Sequence, residues 1–227
     1  MHFHLPKPLH GWREFAGEVG IIVIGVLIAL GAEQAIEAIH QRSEVEQTRA
    51  ALDAELAHNL AAFDYRLSLE PCSQSRLNEL QSIVDRQRYA VAALRHDPVS
   101  PLTINLEFAM WDAATGEGRS LIPLQAKLQY AKLYDIFRHY ENLRNHESDA
   151  WAQLADLDFH SQLSAEDAKQ AKVTIKRLRR IDQLIRPFAS FIEGSAAPLR
   201  IRPEPDINAP AEAVMRKNRA GFCSPLI

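Results

Sequence analysis

FAGEVGIIVIGVLIALGA, residues Phe15 to Ala32, decides how the rest of this 227-residue chain is read. No charge occurs from Val19 to Ala32, and over the whole stretch Glu18 is the one interruption. A helix rises about 1.5 Å per residue, so these residues reach roughly 27 Å, close to the hydrocarbon thickness of a bilayer. The apolar region of a cleaved signal peptide is a rival, since Ala29, Gly31 and Ala32 are small residues of the kind found at cleavage sites. A buried core helix of a soluble domain is the other. Against a signal, Glu14 and Glu18 stand where positive charge is wanted. The stretch also runs without a breaker into EQAIEAIHQRSEVEQTRAALDAELAHNL (residues 33–60), a strongly helical sequence. The reading adopted is an uncleaved transmembrane helix over 15–32, behind a short leader over 1–14.

Lys and Arg near the two ends set the orientation. Lys7 and Arg13 precede the segment, whereas Arg42 and Arg49 lie among Glu33, Glu37, Glu44 and Glu46 after it. This favours a cytoplasmic N-terminus and an exported C-terminal part, which in a bacterium means the inner membrane and the periplasm. Cys72 and Cys223 then read either as one long-range disulfide or as two unrelated thiols. Ala16-x-x-x-Gly20 and Gly25-x-x-x-Ala29 would let two membrane helices approach closely, although glycine is common in membrane helices anyway. Glu18 reads as a headgroup-level residue about one turn inside the boundary.

Composition removes several classes. A net charge of −3 and pI near 6.3 lack the basic footprint of a nucleic-acid binder, so no nucleic-acid partner is expected. Two cysteines are too few for a disulfide scaffold or a four-cysteine zinc site. The charged and apolar fractions are those of a folded chain.

HLPKPLHGWREFAGEVGIIVIGVLIALGAEQAIE (residues 4–37) and MWDAATGEGRSLIPLQAKLQYAKLYDIF (residues 110–137) together carry a resemblance. They are similar to a group of bacterial single-pass inner-membrane proteins with a short basic leader, a GVLIAL-type membrane helix and a helical extramembrane domain. Gly118 departs from the group's pattern in the Thr-Gly turn. The resemblance implies membrane anchorage and a helical exported part. It implies no activity.

Beyond the membrane segment the signals are helical. Gly is absent between Gly31 and Gly116, and nothing alternates long enough for a strand. The first helix is expected to run to about Leu69 and stop at Pro71, with Ile36, Ile39, Leu52, Leu56, Leu60, Phe63 and Leu67 inward. A second spans about Ser73–Arg95, before the break HDPVSP (residues 96–101). Residues 103–114 read as a short helix ended by Thr115–Gly118. Pro123 opens a long helix to about Asp158, with Leu124, Leu128, Ala131, Phe137, Tyr140, Leu143, Trp151 and Leu154 buried. Ser164–Asp167 has capping-box spacing, with Asp for the usual Glu or Gln, and opens a last long helix kinked before Pro187 and stopped by Gly194. The tail, 195–227, is Pro-rich and extended, with at most a short helix from Pro210 to about Arg219. Residues 33–70 carry eight acidic and three basic residues and residues 163–186 three acidic and seven basic, suggesting that the first and last long helices are neighbours.

Catalytic templates find no match: there is no Gly-x-Ser-x-Gly elbow, Walker loop or dinucleotide fingerprint. Thr115–Arg119 lacks the Lys-Ser/Thr of a phosphate loop and reads as a turn. His146-Glu147 begins like a zincin motif, but Ala150 stands where the second His is needed, so His139, His146 and Glu147 read as ordinary surface or pairing residues. His2, His4 and His10 lie in the leader and could bind metal only loosely. Lys169, Lys172, Lys176 and Arg180 share a helix face that could take an anionic partner or simply stay solvated. Trp111, Tyr130, Tyr134, Phe137, Tyr140 and Trp151 read as core packing, with an aromatic ligand pocket as the alternative. The expectation is an all-α protein: a transmembrane helix continuing into a long-helix antiparallel bundle over 33–194, then the Pro-rich tail. It is expected to act without catalysis or cofactor, as an anchored interaction or scaffold protein whose partners are the bilayer and a homodimer mate or membrane protein. A periplasmic ligand-sensing domain is the alternative.

Overall fold

The computed structural model describes residues 11–86, 94–95, 100–114, 122–204 and 209–226. Among them all regular structure is helical: α1 (Trp12–Ser68), α2 (Glu70–Arg86), α3 (Ala109–Ala113), α4 (Leu124–Ala155), α5 (Ala165–Ala196), a 3-10 turn (Ala197–Leu199) and α6 (Ala209–Cys223). The leader histidines, Val91 and the Thr115–Gly118 turn lie outside the described residues. Two compact units emerge, Met1–Thr48 and Arg49–Ile227, and α1 contributes to both.

In the first unit α1 opens after Gly11, whose φ of +96° is a conformation glycine adopts without a Cβ penalty. It holds one helix stretch long and apolar enough to cross a membrane. Ile21, Ile22, Ile24, Leu27 and Ile28 are all exposed. Ile36 and Ile39, expected to face inward, are 69% and 70% exposed, because the described residues of this unit include no second element to cover them.

The second unit has its own core. Leu52, Leu56, Leu60 and Phe63 of α1 are buried, as the three- and four-residue spacing requires. Leu77, Leu80 and Val84 of α2, Trp151 and Leu154 of α4, and Ile175 and Leu178 of α5 form a cluster joined by Phe222 and Leu226 of the C-terminal segment. α5 packs on α4 and α2, and α6 packs on α2. The compact unit therefore starts at Arg49 and takes in the tail, whereas the sequence placed its limits at 33 and 194.

Several elements differ from expectation. α2 starts at Glu70 because Pro71, which lacks an N–H, is tolerated in a first turn where that donor has no helical partner. Its described residues reach Arg86, and Leu94 and Arg95 are not helical. Residues 101–108 carry no helix, because their main-chain groups bond to side chains of other helices. Asn59 donates to Glu107 O at 2.7 Å and accepts from Glu107 N at 2.7 Å, and Arg144 donates to Ile104 O at 2.9 Å. His58 Nε2 lies 3.1 Å from Asn105 O. Only α3 follows, its free amides at Met110 and Trp111 held by the Glu55 carboxylate at 2.7 and 3.2 Å. In α4, Leu124 and Leu128 are exposed and the buried face begins at Tyr130.

At the start of α5, Ser164 Oγ accepts from Asp167 N at 3.1 Å, the N-cap bond that the spacing called for. The helix does not stop at Gly194. It continues to Ala196, with Ile192 and Ala196 buried on either side of the glycine, whose place in a helix costs roughly 1 kcal/mol. The turn at Ala197–Leu199 and Arg200 at φ 60° end it. α6 reaches Cys223, beyond the short helix expected to end near Arg219.

Candidate functional site

The residues singled out from the sequence fall in separate places. Ala16, Gly20, Gly25 and Ala29 all lie on the first-unit part of α1, and a Cβ built on Gly17, Gly20 or Gly25 would meet nothing within 4 Å. That face is open.

Cys72 of α2 and Cys223 at the end of α6 are joined in a disulfide, 151 residues apart in sequence, with Cα atoms 4.8 Å apart. The bond is one of several fastenings of the C-terminal segment. Arg76 donates to the carbonyls of Gly221, Phe222 and Ser224 at 3.2, 2.7 and 2.9 Å, satisfying carbonyls that the end of α6 leaves free. Leu226 N donates to Glu79 at 2.9 Å, and Arg95 N donates to Leu226 O at 2.7 Å. Phe222 packs edge-on against Trp151, with ring centroids 5.9 Å apart.

The cationic face of α5 is partly spent. Lys169 reaches Glu166 at 3.4 Å on its own helix, and Lys172 pairs with Asp85 of α2 at 2.7 Å. Lys176 and Arg180 are exposed. Arg179 donates to Asn78 at 3.1 Å and Arg186 to Glu70 at 2.5 Å. The exposed contacts of α5 are thus made with α2. The charge pattern had pointed to α1.

Where α1 does meet α5, the polarity is reversed. Arg66 of α1 donates through Nε to Glu147 Oε2 at 3.1 Å and through Nη2 to Glu147 Oε1 and to Asp182 Oδ1, the last at 2.6 Å. Ser73 of α2 donates to Asp182 Oδ2 at 2.8 Å. All four residues are at least 95% buried, and they join α1, α2, α4 and α5. Burial pulls the Arg66 guanidinium down, but Glu147 and Asp182 outweigh it and hold it above its ordinary value. Burial pushes the Asp182 carboxyl up, and Arg66 and Ser73 offset this only in part. Sequence reasoning missed this cluster, placing Glu147 in a failed zincin motif and leaving Arg66 and Asp182 in surface charge totals. One signal was present: Arg66, Ser73 and Arg76 continue the helical spacing of the core from Phe63.

The histidines read with Glu147 do not join it. His139 and His146 are exposed, and His139 Nδ1 lies 2.8 Å from Asp135 O. Among the described residues no group of His, Cys, Asp and Glu could hold a metal ion. Most of the aromatic cluster packs inside the second unit. Tyr130, Tyr134, Phe137 and Tyr140 are buried in the core. Trp111 stacks on Tyr134 at 4.8 Å, and Phe63 meets Tyr140 edge-on at 4.8 Å. Tyr134 donates to Glu55 at 2.6 Å, Tyr130 to Asp53. Burial, and then Asp53, push the Tyr130 hydroxyl up to about 12.

Of the clefts that open to solvent, one lies beside the Arg66 cluster. A cleft of about 570 Å³ is bounded by the 100–105 strap, α4 and α6, with Glu147, Trp151 and Phe222 among its lining. The chain matches no protein-family model, no curated protein and no solved structure.

Proposed function

We propose that this chain is a membrane-anchored helical interaction protein of the bacterial envelope. Phe15–Ala32 crosses the inner membrane with the N-terminus cytoplasmic, and Arg49–Ile227 is displayed in the periplasm to bind a membrane-protein partner or a second copy. One observation carries this reading: Glu18 apart, 15–32 is apolar and its large side chains are exposed, while the second unit covers a core of its own. An exposed apolar stretch of that length is costly in water and is matched by lipid. The Cys72–Cys223 disulfide supports export, because such bonds persist in oxidising compartments.

Reporter fusions at the C-terminus test the topology. Alkaline phosphatase should be active there and green fluorescent protein dark; the opposite pattern overturns the orientation. Purification from membranes in mild detergent tests the role. A stoichiometric membrane partner or a self-dimer is expected, and a monomer eluting alone overturns it.

A further inference from the structure

The cleft beside the buried Arg66 cluster has the build of a ligand site, and we propose that it binds a neutral polyhydroxylated molecule of saccharide type. Three separate elements contribute to it: Asn105 from the strap, Asn145 and Ser148 from α4, and Asn218 from α6. Its volume, about 570 Å³, lies in the range of small-molecule sites. The neutral polar lining consists of primary amides and hydroxyls, which both donate and accept and so match the hydroxyl groups of a ligand. Trp151 and Phe222 also line it, but both are buried and packed edge-on against each other, so the sugar is held through its hydroxyl groups and not by ring stacking.

Charge argues against an ionic ligand. Arg144 is spent on Ile104 O and Thr103 Oγ1. Glu147 is spent on Arg66. Both charged groups of the lining thus have hydrogen bonds committed within the protein. Trp151 adds an independent sign. It is 1% exposed, and its indole N–H, alone among the buried side-chain donors of the lining, has no acceptor among the described residues. A buried unpaired donor is uncommon in a folded interior and calls for an explanation.

The site does not depend on the membrane reading, so either can fail without the other. The full chain is purified in a polyoxyethylene detergent, which keeps alkyl glycosides away from the cleft. It is titrated with glucose, N-acetylglucosamine and maltose, and with glucuronate and glucosamine as charged counterparts, by calorimetry and tryptophan fluorescence. Saturable binding of at least one neutral sugar is expected, weakened about tenfold or more by Asn145→Leu and by Asn218→Leu, each of which removes an amide that pairs with a hydroxyl. Both positions are exposed on helix surfaces, and circular dichroism checks that the variants stay folded. Lys176→Ala, away from the cleft, should bind as the parent does. Preference for a charged counterpart, binding that survives both leucine variants, or no saturable binding of any neutral sugar overturns the proposal.

Discussion

Replacing Arg66 by Met isolates what the buried charge cluster contributes. The substitution keeps most of the side-chain volume and removes the cation, leaving Glu147 and Asp182 facing each other at 4% and 5% exposure. Breaking a buried ion pair from one side costs about 3–5 kcal/mol, because the partner charge stays buried without compensation. Here two carboxylates are stranded, so the upper part of that range is expected. For a unit spanning Arg49–Ile227 each kcal/mol moves Tm by about 2–4 °C, so about 4–5 kcal/mol should be read as a fall of about 8–20 °C by circular dichroism of the full chain in mild detergent. The pH dependence has a definite sign. Asp182 already titrates above its ordinary 3.8 in the folded state. Such a group's contribution is fully present below the unfolded pKa and is lost as pH rises through the folded one. Without Arg66 its pKa climbs further, so Arg66→Met should regain stability on going from about pH 8 to pH 5, and by more than the parent does. The triple variant Arg66→Met, Glu147→Leu, Asp182→Leu, with no stranded charge, should return to within about 2 kcal/mol of the parent. A loss under about 1 kcal/mol for Arg66→Met, or a triple variant no better than the single one, would refute the reasoning.

Three further outcomes follow from the same contacts. Reducing Cys72–Cys223, or replacing both by Ser, should cost about 5 kcal/mol, the loop entropy expected for a separation of 151 residues, and denaturant midpoints with and without reductant measure it. Asn59→Ala removes both bonds to the Glu107 main chain and should cost about 1–3 kcal/mol, with hydrogen exchange accelerating at the Glu107 amide before the α4 core is affected. Tyr130, Tyr134 and Tyr140 are all held above 10, chiefly by burial, so tyrosinate absorbance should leave them protonated to about pH 11 in the folded chain. Their contribution to stability is complete below pH 10 and is lost as pH rises through the folded values, so alkaline unfolding should coincide with their ionisation.

The helices were legible where one physical signal dominated. The apolar run at 15–32, the Leu52–Phe63 spacing, Pro123 at the start of α4 and Ser164 as N-cap of α5 are local features, and local features survive in the sequence. Residues 101–108 were not legible because their conformation is imposed from a distance: Asn59, His58 and Arg144 take up main-chain groups that a helix would have paired internally. Gly194 was misread because the burial of Ile192 and Ala196, which flank it in the helix, depends on what packs there. The cleft was invisible for the same reason. Asn105, Asn145 and Asn218 are unremarkable singly, and only the fold of three separate elements brings them to one wall.

The segment from Arg66 to Arg76 shows why a hydrophobic pattern undercounts the core. Arg66, Leu69, Ser73 and Arg76 follow one another at three- and four-residue steps and are each no more than 2% exposed, so they occupy one buried face. Three of the four are polar, and a reader of apolar periodicity assigns them to the surface. The helix is interrupted here at Leu69, and Pro71 removes a main-chain donor, so the junction of α1 and α2 has fewer internal bonds than a continuous helix. Its fixation comes from outside: Arg66 and Ser73 to Asp182, Glu70 to Arg186, Cys72 to Cys223, and Arg76 to the end of α6. Each fastening reaches an element distant in sequence, and each is specific in geometry where apolar contact is not. A junction held this way resists sliding of one helix along another, which a purely apolar interface of Leu and Ile would tolerate with smaller loss. Exchanging the cluster for apolar residues is therefore expected to spare most of the stability and to cost definition, visible in the triple variant as amide exchange at 69–76, Pro71 aside, that is faster than a stability change of about 2 kcal/mol or less accounts for. Exchange no faster than in the parent would assign the cluster to stability alone.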